Sequence, residues 1–131
     1  MIYLDSAALV KLVQDEAESD ELAAWLDQRI DTPWVSSVLL EIEAFRVVMR
    51  SGPEAVTNLR RFLDMIELVE LNGGIRILAQ TAKPVTVRSL DAVHLGTALS
   101  LVGLAAFVTY DKRLAEAAQL AGLPVFSPGI S

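Results

Sequence analysis

Three acids stand where apolar runs stop: Asp5 after Ile2-Tyr3-Leu4, Asp91 after Leu90, and Asp111 after Phe107-Val108-Thr109-Tyr110. A carboxylate beside an apolar interior is costly unless it is paired, hydrogen-bonded or bound to a cation, and one shared divalent ion would answer for all three. Cysteine is absent and histidine occurs once, so a metal site here draws on oxygen ligands, which select Mg²⁺ or Mn²⁺ over zinc. A fourth acid comes from Glu41 or Glu43. Two residues apart on one helix, they point about 200° apart at about 100° per residue, so one at most faces such a site, and periodicity does not choose.

Each acid also has a plainer use. Asp5 and Asp111 sit at strand-to-helix turns, where open α/β sheets place ligands but where an aspartate also caps the helix that follows. Asp91 opens a helix whose buried stripe continues through Leu95, Ala98 and Val102, so it should face inward; it would also complement the helix dipole, with Ser89 the better cap. On the third helix, Val38, Ile42, Phe45 and Met49 form the expected core stripe, and Glu43 could pair with Arg46 for a few tenths of a kcal/mol. His94, one turn after Asp91, reads as a hydrogen-bonded structural histidine more readily than as a general base.

The elements that must position these residues alternate from end to end. Strands are predicted at Ile2-Leu4, Trp34-Ser36, Ile66-Leu71, Ala106-Thr109 and Val125-Phe126. Helices are predicted over Ser6 to Gln14, Glu18 to Arg29, Ser37 to Arg50, Pro53 to Asp64, Gly74 to Ala82, Ser89 to Val102 and Lys112 to Ala121. Short apolar strands alternating with helical patterns predict an α/β sandwich with a central parallel sheet. Ser51-Gly52-Pro53, Lys83-Pro84 and Gly122-Leu123-Pro124 punctuate it, and no linker or repeat divides it.

At 131 residues the chain has the size of one domain, read as 1-131. It is 53% hydrophobic with a mean hydropathy of +0.43, yet no stretch approaches the roughly 20 apolar residues of a membrane span. No leader-like segment precedes the first strand and no cysteine is present, which together favour a cytoplasmic location. A net charge of −6 is unlike that of a passive nucleic-acid binder, although bound divalent cations would reverse the field around an acidic site.

The segments Ile2-Tyr3-Leu4-Asp5-Ser6-Ala7-Ala8-Leu9-Val10-Lys11, Ser36-Ser37 through Glu43-Ala44-Phe45-Arg46, Arg88-Ser89-Leu90-Asp91-Ala92-Val93-His94-Leu95 and Val108-Thr109-Tyr110-Asp111-Lys112-Arg113-Leu114, in this order, resemble the PIN domain. More narrowly they resemble VapC-type toxins of toxin–antitoxin systems. The resemblance implies an α/β/α sandwich and a metal-dependent ribonuclease whose acids fall on Asp5, Asp91 and Asp111. The helical glutamate falls on Glu43, six residues after Ser37, in preference to Glu41. It further implies Mg²⁺ or Mn²⁺ as cofactor, RNA as substrate, a homodimer, and a cognate antitoxin that blocks the acidic pocket.

On that reading the four acids hold the ions for phosphodiester hydrolysis, with Ser6 and Thr109 as supporting hydroxyls. Arg46, Arg50, Lys11, Lys112 and Arg113 are the candidates for phosphate contact. Trp25, Trp34, Phe62 and Met65 supply apolar area for core or interface. A haloacid-dehalogenase-type phosphatase is disfavoured because Ala7 stands where its second aspartate belongs, and a receiver domain because its adjacent acids and late lysine are absent. A non-catalytic PIN-like interaction module is the remaining alternative.

Overall fold

A computed structural model describes residues 1–130, and the architecture is set by five short strands, β1 (Ile2–Leu4), β2 (Trp34–Ser37), β3 (Ile66–Val69), β4 (Ala106–Val108) and β5 (Val125–Phe126). They form one sheet in the order β3-β2-β1-β4-β5, and every neighbouring pair is parallel. Parallel pairing needs crossovers, and helices supply them: α1 (Ser6–Val13), α2 (Ser19–Asp27), α3 (Leu39–Val48), α4 (Pro53–Leu63), α5 (Gly73–Gln80), α6 (Ser89–Leu99) and α7 (Lys112–Leu120).

Alternation along β1 divides the core in two. Ile2 and Leu4 join Leu9, Leu22, Leu40, Val48 and Leu59 on one face of the sheet. Tyr3 joins Val35, Phe107, Leu95 and Leu114 on the other. Both faces of the central strand are therefore covered, which is the predicted sandwich.

Helix bounds follow local chemistry. Ser37 ends β2 instead of starting a helix, because its Oγ accepts the Leu39 amide and so caps α3 from outside. A three-ten turn, Met49–Ser51, and Gly52 at φ +95° separate α3 from α4, which Pro53 opens. Gly96 lets α6 lie against α5: a Cβ there would meet the Ala79 amide nitrogen at 3.0 Å and the Ile75 carbonyl oxygen at 3.1 Å.

Three expectations need correction. The buried stripe of α3 is Leu40, Ala44 and Val48, whereas Ile42 and Met49 are 58% and 60% exposed and Val38 and Phe45 half-buried. Apolar residues surround that helix on nearly every side, so periodicity had more than one solution. Val102 lies beyond the end of α6 and is exposed, and the cap position of α6 belongs to Arg88, which offers no side-chain acceptor, so Ser89 is not the cap. Of the four large apolar residues, Trp34 stacks on Phe62 and Trp25 packs against Phe126, while Met65 is exposed.

Candidate active site

The chain winds from β1 outward to β2 and β3, then returns to the other side of β1 as β4. The crevice beyond the carboxyl ends of β1 and β4 is thus the switch point of the sheet, where ligands of open α/β folds bind. Asp5 and Asp111 follow those two strands. The Asp5 amide donates to the Val108 carbonyl at 3.2 Å, extending the ladder by one bond and fixing where its side chain starts.

Asp5 is 3% exposed; its Oδ1 accepts the Ala8 amide at 2.9 Å, capping α1, and its Oδ2 accepts the Thr109 hydroxyl. Burial pushes its carboxyl pKa up and the two hydrogen bonds hold it down, while the Asp111 charge adds to the rise. Thr109, fully buried, also receives the Asp111 amide at 3.1 Å. Asp111 in turn caps α7, its Oδ1 accepting the Arg113 and Leu114 amides at 2.9 and 3.0 Å. Cap and site position coincide at both aspartates.

Glu43, on α3, places Oε1 2.6 Å from Nε2 of His94 on α6. His94 is 1% exposed, and its Nδ1 lies 2.7 Å from the Tyr3 hydroxyl. Glu41 is exposed on another side of α3. Asp91 is half-buried in the first turn of α6, its pKa raised by burial first and then by the charges of Asp111 and Glu43, against the pull of His94 and Arg88. The charge of Asp111 thus reaches both Asp5 and Asp91, and that of Glu43 reaches Asp91. A cavity of about 530 Å³, lined by Ser6, Lys11, Glu43, Tyr110 and Asp111 among others, opens over this ground.

Among the described residues no cationic side chain stands within ion-pair distance of Asp5, Asp91 or Asp111; the pairs present are Lys11 with Glu16 and Glu18, and His94 with Glu43. Lys11 also donates to the Ala17 carbonyl and lies over the Tyr110 ring, so it is engaged locally and is not a free phosphate ligand. Arg46, Arg50, Lys112 and Arg113 are exposed. Acids whose charges press on buried Asp5 and half-buried Asp91 without a cationic partner are the donor chemistry a hard divalent ion requires. As the side chains lie, however, no three His, Asp or Glu residues among those described are gathered closely enough to hold an ion. Asp5, Glu43 and Asp111 each turn an oxygen toward a protein donor, and each carboxylate retains lone pairs beyond those used.

A cavity of about 740 Å³ lies elsewhere, lined by Trp34, Phe62, Met65 and Ile30 among others, at the amino ends of the strands. It contains none of the four acids. Sequence reasoning missed Tyr3, whose signal was a lone hydroxyl-bearing aromatic between two aliphatic residues of a buried strand.

Comparison with known proteins agrees with this geometry. A sequence model of the PIN domain matches residues 2–120. The chain is 43% identical over 132 residues to Ribonuclease VapC35 of Mycobacterium tuberculosis, covering 98% of each protein. The fold is similar to that of VapBC2 from Rickettsia felis bound to a promoter DNA fragment, at a TM-score of 0.76 and 16% identity over 98% of this chain and 99% of that one. It is also similar to VapC20 of Mycobacterium tuberculosis, a toxin that cleaves the Sarcin-Ricin loop, at a TM-score of 0.73 and 14% identity over 98% and 100% of the two chains. The parallel sheet with acids at its switch point, the match across nearly the whole chain and the close sequence relative together make this chain a member of the PIN domain family, of VapC type.

Proposed function

We propose that this chain is an endoribonuclease that uses Mg²⁺ or Mn²⁺ and serves as the toxin of a toxin–antitoxin pair. What supports the reading is that the charge of Asp111 reaches both Asp5 and Asp91 and that of Glu43 reaches Asp91, with the three aspartates lacking any cationic partner among the described residues. The name of its VapC35 relative supports RNA as the substrate. The VapBC2 complex supports an antitoxin partner. A homodimer and a cytoplasmic location belong to the same reading.

When bound, a hard divalent ion supplies a water of lowered pKa and positive charge against the scissile phosphate. Asp5, Glu43, Asp91 and Asp111 are the residues that would hold it. Asp5 is fixed by Ala8 and Thr109, so it gives the site its rigid point, and Asp111 is aligned by the first turn of α7. Thr109 bridges the two, bonding both the Asp5 carboxylate and the Asp111 amide. Ser6 lines the cavity beside them. Arg46 and Lys112, exposed after Glu43 and Asp111, offer charge to the phosphates on either side of the cut.

The test is cleavage of a mixed structured RNA pool by the purified chain in Mg²⁺, Mn²⁺ and EDTA, beside Asp91→Asn. Cutting that needs the metal and is lost in the variant is the expected result. A folded chain that neither cuts RNA nor gains stability from Mn²⁺ would instead be a non-catalytic PIN-like interaction module.

A further inference from the structure

We infer that His94, oriented by Tyr3, is a positioning residue that holds Glu43 in one geometry for the ion, an inference that rests on the metal-dependent reading above. Glu43 differs from the three aspartates: it sits on a long side chain in mid-helix, with no helix cap to fix it. What fixes it comes from two other elements. Its Oε1 meets His94 Nε2 at 2.6 Å, and His94 Nδ1 meets the Tyr3 hydroxyl at 2.7 Å.

The donors in this chain can be assigned from chemistry. The Ser37 amide lies 3.3 Å from the Tyr3 oxygen and can only donate to it. The Tyr3 phenol, fully buried, makes the next contact, to His94 Nδ1. The Glu43 carboxylate can only accept, so His94 carries a proton on Nε2 and donates it to Oε1. The reverse tautomer would set a nitrogen lone pair against a carboxylate oxygen. The contacts run from the Ser37 amide through Tyr3 and His94 to Glu43.

Packing locks the relay. Tyr3 stacks on Phe107 with ring centroids 5.0 Å apart and meets His94 edge-on at 5.8 Å, and water has almost no access to either ring. A buried ring N–H on Oε1 orients the glutamate and leaves Oε2 for the ion.

Two substitutions separate this role from mere satisfaction of buried polar atoms. The amide of His94→Gln reaches to the place of Nε2 and keeps the bond to Glu43; that of His94→Asn stops near Nδ1 and keeps the Tyr3 contact alone. Mn²⁺ binding by the RNA-free chain, read from the electron paramagnetic resonance of free Mn²⁺, should weaken about tenfold or more in His94→Asn and stay near wild type in His94→Gln. Tyr3→Phe, which keeps the packed ring, should weaken binding as well and provides the test should the asparagine variant unfold. Nitrogen-15 spectra of the single histidine, metal-free, should show Nε2 protonated. Equal Mn²⁺ affinity in wild type, His94→Asn and Tyr3→Phe, or a proton on Nδ1 alone, would overturn the inference. A wild-type chain that binds no Mn²⁺ but shows the expected nitrogen signature would sink the metal reading itself, and the positioning role with it.

Discussion

Thr109→Val removes one oxygen from the buried centre of the site while keeping the shape of the side chain. Thr109 Oγ1 donates to Asp5 and accepts from the Asp111 amide, with no exposure to solvent. An ordinary hydrogen bond contributes about 0.5–1.5 kcal/mol and one to a charged acceptor about 1.5–3, so valine should cost about 1–4 kcal/mol, toward the upper end once Asp5 is ionised. Thr109→Ser keeps both bonds and loses one methyl group, at about 1 kcal/mol. The fold should survive either change, since domains of this size have about 5–15 kcal/mol in hand.

The cost of valine should also depend on pH, and its sign follows from Asp5. The folded carboxyl pKa lies above its ordinary value of 3.8, so the native chain keeps a proton that the unfolded chain has already released. Wild-type stability therefore falls as pH rises from that value through the folded pKa, then levels off. Thr109 is the strongest of the contacts holding the Asp5 pKa down, so valine raises it further and deepens the fall. Urea unfolding of the metal-free wild type, valine and serine variants at about pH 5 and about pH 8 should give a larger valine penalty at the higher pH. A valine penalty no greater than that of serine at the higher pH, or one that shrinks as pH rises, would refute the assignment of Thr109 as the support of an ionised Asp5.

Other substitutions probe different parts of the molecule. Asp91→Asn should reduce RNA cleavage by about 100-fold or more, because it removes a proposed metal ligand, without lowering metal-free stability at neutral pH, where burial and the Asp111 charge oppose its ionisation. The same variant should lose the thermal stabilisation that Mn²⁺ gives the wild type, a gain of about 2.7 kcal/mol at a hundredfold excess over Kd. Arg46→Ala should lower the salt slope of RNA binding by about 0.7 for a contact to a single-stranded phosphate, whereas Lys11→Met should leave it unchanged because Lys11 is already engaged by Glu18 and Ala17. Gly96→Ala should shift the urea midpoint down: overpacking against the Ala79 and Ile75 backbone costs about 1–3 kcal/mol, of which helix propensity returns at most about 1.

The order and kind of the elements were legible because apolar runs and breakers agree along the chain; each predicted strand is present, two of them shortened at the carboxyl end. Asp5 and Asp111 were legible for the same reason, since the end of a parallel strand is also the start of a helix. What sequence could not provide was rotation about a helix axis. On α3 the apolar residues leave several stripes open, so Ile42 and Met49 were placed inward although they lie outward. Nor could spacing show that Glu43 and His94, 51 residues apart, share a hydrogen bond, or that Tyr3 stands behind them. Those contacts depend on how α3 and α6 meet over β1, which is a property of the packed sheet.

The four acids differ in how firmly the fold holds them, and that difference bears on how the site would take up an ion. Asp5 is immobilised by two bonds in a dry setting, Asp111 is aligned through one oxygen by two helix amides, and Glu43 is held through one oxygen by a buried imidazole. Asp91 sits in the first turn of α6, where Asp111 and Glu43 press on its charge. An arriving cation would therefore find one fixed ligand and two with oxygens to spare, and it would relieve repulsion most at Asp91. The excess of acids that sets the net charge against RNA is, on the proposed reading, what would draw a divalent ion first and let RNA follow it.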